Sequence, residues 1–374
     1  MPLKVLIAPD KFKGTLSAGE AAAAISRGWR EVRPEDKLDL LPISDGGDGF
    51  GEVIRALLRA KPHTVKTEDA AHRPCETTWG WEAKTKTAII ESATVIGLAM
   101  LPPGKFHPFE LDTFGLGAVL RAAQAKGAKG ILVGIGGSAT NDGGFGLARS
   151  LGWKFVDKLG QPLERWTELH RLACVHASEL RPFENVTVAV DVQNPLLGPR
   201  GATRVYGPQK GLRPDDFDLA ERCLGQLANV MAREFKRDFA QAPGAGAAGG
   251  LGFGLLAFLG ATLESGFELF AALAKLEQRL RTVDLVITGE GAIDESTFMG
   301  KGVGQIARHC SGLKTPCIGL AGSVAPACRS DTLFAQVRGL TELTNVAEAK
   351  ANPAQVLANL AAQAATAMCS LPTS

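Results

Sequence analysis

Five aspartates follow apolar segments that have the composition of β-strands, and carboxylates in such places can bind cations or accept protons. They are Asp10, Asp45, Asp142, Asp191 and Asp294. In open α/β sheets, ligands bind outside the carboxyl ends of the strands. Phosphoryl transfer needs a cation on the nucleotide and a group that orients or deprotonates the attacking hydroxyl, and aspartate can supply either function. A solvated turn aspartate is the alternative for each of them.

Glycine is abundant, with 44 residues, and it clusters beside apolar segments. The clusters that fit phosphate-binding loops are 136–144, 244–252, 289–291 and 300–304. Glycine lets the backbone approach phosphate oxygens closely, and the amides at a helix N-terminus attract anions. Each cluster alone is equally well explained as a tight turn between a strand and a helix. Neither a G-x-x-x-x-G-K-[ST] segment nor the protein-kinase signature occurs, so a nucleotide site would belong to neither of those common classes.

Two short segments share one arrangement, since Asp45-Gly-Gly and Asp142-Gly-Gly each follow a predicted strand and open a predicted helix. Such turns could bring two carboxylates and two sets of backbone amides to one cleft. Two independent tight turns are the alternative.

Three lysines lie next to glycine, which gives them freedom to reach a phosphate or a carboxylate: Lys13, Lys210 and Lys301. Most other lysines are expected to be solvated surface residues. The six histidines lie outside the glycine clusters and no G-x-S-x-G segment occurs, so nucleophilic catalysis is not favoured. Ser138 is predicted instead to donate a hydrogen bond to phosphate or substrate.

The segments that position these residues alternate between strand and helix at both ends of the chain, which predicts an α/β fold. The predicted strands are 3–8, 38–43, 130–135, 186–191, 283–288 and 316–321, and the predicted helices are 17–29, 50–60, 113–126, 215–238, 302–310 and 353–369. Residues 64–92 alternate as antiparallel strands do, and 192–214 is predicted as a loop. We therefore predict one α/β domain formed by 1–62 and 283–374, interrupted by a mixed α/β domain at 63–282.

Composition excludes several classes of protein. The chain has 374 residues, 45% of them hydrophobic and 21% charged, with a net charge of +2, which argues for a globular protein and against nucleic-acid or membrane partners. Its seven cysteines are scattered without a CxxC pair, which argues against a zinc site or a disulfide framework. The first apolar segment is too short for a signal peptide. We expect a cytoplasmic protein.

Together, these segments resemble the glycerate kinase family of bacteria. The matching segments are Ile7-Ala-Pro-Asp10, Phe12-Lys-Gly14, Leu16-Ser17, Asp45-Gly-Gly-Asp-Gly49, 134–144, Asp191, 194–201, Gly207-Pro-Gln-Lys-Gly211, 244–252 and Thr288-Gly-Glu-Gly291 with Asp294. They occur in the same order from about residue 3 to residue 324. One position departs from the pattern, because Lys11 stands where the family has a small hydroxyl residue, and this leaves the role of position 11 open.

The resemblance implies ATP-dependent phosphorylation of D-glycerate with Mg²⁺, and 2-phosphoglycerate is the expected product. It also implies two α/β domains that face a cleft, of which the one formed by both termini has a flavodoxin-like, doubly wound parallel sheet. Under this hypothesis Asp191 orients or deprotonates the attacking hydroxyl, and Lys13 and Lys210 neutralise charge on the transferred group.

The remaining site predictions concern binding. The predicted substrate- and phosphate-binding residues are Asp45, Gly46, Gly47, Gly136, Gly137, Ser138, Thr140, Asn141, Asp142, Gly249, Gly250, Gly289, Glu290 and Lys301. The predicted Mg²⁺ ligands are Asp294 and Asp45.

Two alternatives are open. The first is a kinase for another small hydroxy acid, such as a tartronate- or erythronate-like substrate, because glycerate is too small to leave a distinctive pocket signature. The second is a regulator that binds a sugar acid without chemistry, although neither a helix-turn-helix nor a basic face is apparent. A monomer and a homodimer are both compatible with the sequence.

Overall fold

A computed structural model describes residues 1–178, 183–300, 302–329 and 332–369. The strands in the described residues are β1 (Lys4–Ile7), β2 (Lys37–Leu40), β3 (Lys61–Glu68), β4 (Pro74–Glu82), β5 (Thr87–Glu91), β6 (Gly130–Gly134), β7 (Lys154–Val156), β8 (Cys174–His176), β9 (Asn185–Val190), β10 (Thr262–Ser265), β11 (Leu285–Ile293), β12 (Cys317–Val324) and β13 (Gln336–Gly339).

The α-helices of the same residues alternate with these strands. They are α1 (Ala18–Val32), α2 (Phe50–Leu58), α3 (Ala93–Ile96), α4 (Leu116–Ala125), α5 (Phe145–Ser150), α6 (Ala202–Lys210), α7 (Phe217–Phe235), α8 (Ala247–Leu259), α9 (Gly266–Ala274), α10 (Leu276–Leu280), α11 (Glu295–Phe298), α12 (Gly302–Leu313), α13 (Val346–Ala351) and α14 (Pro353–Cys369). Both ends of the chain contribute to one compact unit, Met1–Asp45 with Phe267–Ser374 (unit 1), and Gly46–Gly266 forms another (unit 2).

Unit 1 contains a five-stranded parallel sheet in the order β13-β12-β11-β1-β2. Numbered along unit 1 alone, this is the order 2-1-3-4-5 of flavodoxin-like folds. Helix α1 begins where it was predicted to begin, since the Ser17 side chain accepts from the Glu20 amide and the Glu20 carboxylate accepts from the Ser17 amide. The predicted fold class of this unit is thereby confirmed.

Unit 2 contains a mixed six-stranded sheet in the order β10-β9-β6-β5-β4-β3. The strands from β10 to β5 are parallel, and β4 and β3 continue the sheet antiparallel. The carboxyl ends of β5, β6, β9 and β10 therefore meet at one edge of the sheet. Apolar residues of β5, β6 and β9 are buried beside α4 and α8, and Leu263 of β10 is partly buried against them.

The boundaries of the two units differ from the predicted ones at 62/63 and 282/283. Helix α2 belongs to unit 2 because it packs against β4 and β5. Helix α10 belongs to unit 1, where it packs against α12. Both helices are short, so tertiary contacts rather than sequence pattern decide which core each of them joins.

Two predicted loops are wrong. Residues 192–214 contain α6, which includes Pro208 and whose buried Thr203 and Lys210 side chains hold it against the residues that follow β6. The segment Gly289-Glu-Gly291 is not a loop either, because β11 continues to Ile293. A Cβ at position 289 would lie 2.0 Å from the Leu320 carbonyl oxygen of β12, so close strand packing explains this glycine.

Candidate functional site

The carboxyl end of β1 in unit 1 carries a buried acidic residue, Asp10. Its backbone amide donates to the Gly289 carbonyl (2.8 Å), which ties it to the neighbouring strand β11. In a sheet of this strand order, the order in which successive strands are added reverses between β1 and β11, and ligands bind at that switch point. The Asp10 side chain is only 8% exposed. Sequence analysis placed Asp10 at a strand end but did not include it among the site residues, although its place after the first strand was the available signal.

The charges of three further residues affect the pKa of Asp10. The pKa of Asp10 is raised to about 7, mainly by burial and then by the negative charges of Asp45 and Glu290, against the opposing effect of Lys11. The Lys11 ammonium lies 3.9 Å from Asp45 Oδ1. Glu290 is buried, and its Oε1 accepts from Thr297 Oγ1 (2.7 Å). An excess of carboxylates therefore gathers at this end of the sheet.

We expect Asp10→Asn to raise the melting temperature at pH 8 by a few degrees in metal-free buffer. The native state holds the Asp10 proton more tightly than the unfolded chain, so wild-type stability falls as the pH rises from about 4 through about 7. The neutral amide removes this loss, which is on the order of 4 kcal/mol above pH 7 for a pKa raised from 3.8 to about 7. Thermal melting at pH 4 and pH 8 measures the effect, with Glu31→Gln, an exposed neutralisation in α1, as the control. The prediction would be contradicted if Asp10→Asn were less stable than the wild type by the same amount at pH 8 and at pH 4.

The chemistry of this cluster fits a divalent cation. Mg²⁺ is usually bound by one or two carboxylates together with the phosphates of a substrate, and Asp10 and Asp45 supply such a pair. Asp294 fits less well, because its Oδ1 accepts from the Ser296 amide (2.8 Å) and caps α11. Within the described ranges, no group of three or more His, Cys, Asp and Glu side chains is arranged to hold a metal ion by itself.

The other predicted residues of unit 1 are less buried or lie outside the described ranges. Lys13 is exposed in the turn after β1. Its backbone lies against the end of β11, since a Cβ at Gly291 would be 3.2 Å from the Lys13 amide nitrogen. Lys301 lies outside the described residues.

In unit 2, a buried lysine lies at the carboxyl end of β6. Lys210, in the last turn of α6, is 6% exposed, and its Nζ donates to Ser138 Oγ (3.0 Å) and to the Thr140 carbonyl (2.7 Å). About two turns earlier in the same helix, Thr203 Oγ1 accepts from Asn141 Nδ2 (3.1 Å). Helix α6 is thus fixed to residues 138–141 at two points. Burial lowers the pKa of Lys210 to about 7, and the Asp142 carboxylate opposes this shift.

Asp142 is completely buried and holds its own loop together. Its Oδ2 accepts from the Thr113 amide (3.0 Å), the Thr113 hydroxyl (2.7 Å) and the Gly146 amide (2.9 Å), while Oδ1 accepts from the Gly144 amide (3.2 Å). The carboxylate therefore takes the place at the N-terminus of α5 that sequence analysis gave to a phosphate. In this arrangement the charge of Asp142 acts on Lys210, and its hydrogen bonds hold the loop in place. Its oxygens are not exposed to solvent.

The first glycine-rich turn of unit 2 is occupied in the same way. The Glu91 carboxylate accepts from the amides of Gly49 and Gly51 (both 2.9 Å), so it caps α2 from inside the unit. The Gly46 carbonyl accepts from the Gly136 amide (3.3 Å), and a Cβ at position 136 would lie 2.6 Å from Gly47 Cα. The glycines of 46–49 and 134–137 therefore allow two backbone segments to pack on each other. Their predicted phosphate binding stays a prediction.

The densest glycine cluster forms the distorted start of α8. Ala248, Gly249 and Gly250 have φ angles of 55°, 69° and 85°, which is the left-handed region. A Cβ at position 249 would lie 1.9 Å from the Thr140 carbonyl oxygen, the same oxygen that accepts from Lys210. This turn thus packs directly on the residues that hold the lysine. Thr140 Oγ1 and Asn141 Oδ1 are buried there and have no hydrogen-bond partner among the described residues.

Asp191 directly follows β9, and its side chain is exposed. Because β9 pairs with β6, Asp191 and the residues that follow Gly134 leave neighbouring strands at the same edge of the sheet. Unit 2 therefore carries an exposed carboxylate at one strand end and a buried ammonium at the next.

No helix in the described part of the chain is long and apolar enough to cross a membrane.

Comparison with known proteins gives one consistent result. The profile of the glycerate kinase family matches residues 5–369. The glycerate 2-kinase of Escherichia coli (strain K12) is 39% identical over 330 residues, which are 86% of each chain. The glycerate kinase of Bacillus subtilis (strain 168) is 37% identical over 356 residues, 92% of this chain and 93% of that one.

A solved structure agrees with the sequence relatives. The crystal structure of a protein assigned as glycerate kinase 2 from Salmonella typhimurium LT2 matches with a TM-score of 0.84 and 33% identity, over 99% of both chains. The family match across nearly the whole chain confirms the resemblance that the glycine- and aspartate-rich segments indicated. The chain belongs to the glycerate kinase family and is a kinase.

Proposed function

We propose that this protein transfers the γ-phosphoryl group of ATP to a hydroxyl of D-glycerate and releases ADP and 2-phosphoglycerate. The observation that carries the proposal within the structure is the buried ammonium of Lys210 beside the strand end that bears Asp191. Phosphoryl transfer depends mainly on positioning the reactants and on neutralising charge. Asp191 can position the attacking hydroxyl, and Lys210 can neutralise charge on the transferred group. Family membership supports the substrate, and the named relatives support a kinase reaction.

The residues of the two units have separate roles in this proposal. Asp191 orients the attacking hydroxyl and accepts its proton. Lys210 and the Ser138 hydroxyl bind oxygens of the transferred group, where an ammonium in a partly dry site acts more strongly than in water. Asp10 and Asp45 are the residues that would hold a Mg²⁺ ion accompanying the nucleotide. Such an ion would neutralise charge on the phosphates.

The decisive experiment measures ADP release with Mg-ATP and D-glycerate, with L-glycerate and tartronate as parallel substrates. The product is then identified by ³¹P NMR, which separates the 2- and 3-phosphate isomers. Turnover with D-glycerate to the 2-phosphate supports the proposal. Turnover with tartronate alone would instead favour a kinase for another hydroxy acid, and folded protein that binds ATP without turning over any of the three would contradict the substrate assignment.

We expect Asp191→Ala to lower kcat by about 100-fold or more, because general-base catalysis contributes roughly that factor. The side chain is exposed, so the fold is expected to tolerate the change. Steady-state kinetics together with thermal melting test this expectation. Asp215→Ala, at an exposed turn of the same unit, is the control. A kcat within tenfold of the wild type would remove Asp191 from the mechanism.

The setting of the enzyme is also part of the proposal. We infer a cytoplasmic protein that acts on small molecules, as a monomer or a homodimer, without nucleic-acid or membrane partners. The near-neutral net charge of +2 supports this inference.

A further inference from the structure

An exposed histidine of unit 2, His72, has acidic residues on both sides of its ring. It lies in the turn between β3 and β4, and its φ angle of 58° is in the left-handed region. The turn is held by Asp69, which accepts from the amides of Ala71 (2.8 Å) and Arg73 (3.0 Å). The position of His72 is therefore fixed by its own turn.

The imidazole ring of His72 contacts two carboxylates, which favour its charged form. Its Nδ1 lies 2.7 Å from Glu68 Oε1, and its Nε2 lies 3.3 Å from Asp112 Oδ2. Hydrogen bonding to Asp112 raises the pKa of His72 to about 9, and Glu68 contributes in the same direction. At neutral pH this histidine is an imidazolium, and it compensates the charge of Asp112.

Asp112 in turn lies beside the buried loop carboxylate. The next residue, Thr113, donates both its amide and its hydroxyl to Asp142 Oδ2. A Cβ at Gly146 would lie 2.7 Å from Asp112 Cγ, so Asp112 also contacts the backbone whose amide binds Asp142. Contacts therefore run without interruption from His72 through Asp112 and Thr113 to Asp142.

The charges along this series depend on each other. The pKa of Asp142 is raised to about 6, mainly by burial and then by the negative charge of Asp112, against the opposing effect of its hydrogen bonds from Gly146 and Thr113. Asp142 is the carboxylate that favours the charged form of Lys210. If Asp112 lost its cation, its negative potential would act more strongly on Asp142 than on the more distant lysine. The proton would then move from Lys210 to Asp142, and the ion pair would become a neutral pair.

We propose that His72 is a positioning residue for Lys210, because its imidazolium compensates Asp112 and so keeps Asp142 a carboxylate and Lys210 an ammonium. The catalytic consequence rests on the proposed function, in which Lys210 binds the transferred phosphoryl group. The charge of Lys210 itself does not rest on it and can be measured without substrate.

The test compares His72→Asn with His72→Lys. Asparagine tolerates the left-handed conformation and removes the cation. Lysine restores a cation, and Lys86, Lys236, Lys275 and Lys314 already have positive φ angles in this chain. His176→Asn, an exposed histidine of the same unit, is the control. Thermal melting shows that each variant is folded.

The first measurement is the ¹³Cε chemical shift of Lys210 against pH in ¹³C-lysine-labelled protein, with the signal assigned by its loss in Lys210→Met. We expect His72→Asn to lower the midpoint of the Lys210 titration by about half a pH unit or more, His72→Lys to restore it, and His176→Asn to leave it unchanged. An unchanged midpoint in folded His72→Asn, or an equal shift in His72→Lys, would overturn the proposal.

Kinetics then separate the two proposals. We expect His72→Asn to lower kcat several-fold at pH 7 with little change in the KM for D-glycerate, and His72→Lys to recover it. If the Lys210 titration moves as expected but kcat does not, His72 still positions Lys210, and the catalytic role given to Lys210 is what fails.

Discussion

Replacement of Lys210 by methionine is expected to lower kcat about a thousandfold at pH 7. In the proposed mechanism the ammonium binds oxygens on which charge accumulates during transfer, and removing one preorganised group of this kind usually costs 10²- to 10³-fold. Stability is expected to fall as well, because the Thr140 carbonyl loses its donor and the buried Asp142 loses the opposing charge. Activity is therefore compared at a temperature at which thermal melting shows the variant to be folded.

The measurement combines steady-state kinetics with thermal melting, and Lys126→Met, at an exposed position after α4, is the matched control. The pH profile gives a second check. Burial lowers the pKa of Lys210 to about 7, so kcat/KM of the wild type should fall as the pH rises through that region. A Lys210→Met variant that keeps more than a tenth of the wild-type kcat would exclude the lysine from the chemistry.

Replacement of Gly249 by alanine is expected to destabilise unit 2 by about 3–5 kcal/mol, in the range of the most severe single substitutions. Two effects combine here. The φ angle of 69° disfavours any side chain, and the new Cβ would lie 1.9 Å from the Thr140 carbonyl oxygen. Because that neighbour is backbone and accepts from Lys210, it cannot yield without moving the lysine.

Gly260→Ala isolates one of these effects. This glycine ends α8 with a φ angle of 63°, but no atom lies within 4 Å of the position its Cβ would occupy. It should therefore cost only the conformational penalty, about 1 kcal/mol. Urea unfolding of both variants gives the difference. Equal losses of stability would show that the close contact with Thr140 contributes nothing.

The sequence analysis succeeded where local pattern and tertiary structure agree. Helix α1 begins close to the predicted residue, with the capping box of Ser17 and Glu20 at its start. Several parallel strands of both units coincide with the short apolar segments that were predicted as strands. It failed where distant contacts decide. Helix α6 forms despite Gly207 and Pro208 because Thr203 and Lys210 are held by residues far away in the chain.

The same limit applies to the candidate site. Asp142 and Asp191 were both predicted as site residues, but Asp142 binds four hydrogen-bond donors inside the protein while Asp191 is exposed. Nothing in the local residue types distinguishes these two cases. Gly289 and Gly249 both lie in glycine-rich segments that were predicted as phosphate-binding loops. Gly289 instead allows two strands to pack closely, and Gly249 allows a helix to begin against a loop.

The insertion of unit 2 into unit 1 dictates an order of assembly on the ribosome. Strand β1 lies between β2 and β11, and all of Gly46–Gly266 is synthesised before β11 emerges. At roughly 5–20 residues per second, the first two strands wait on the order of 10–40 s with an unpaired edge. Unit 2 is continuous and can fold during this delay, whereas the nascent N-terminal strands present a pairing edge that chaperones must protect from other chains.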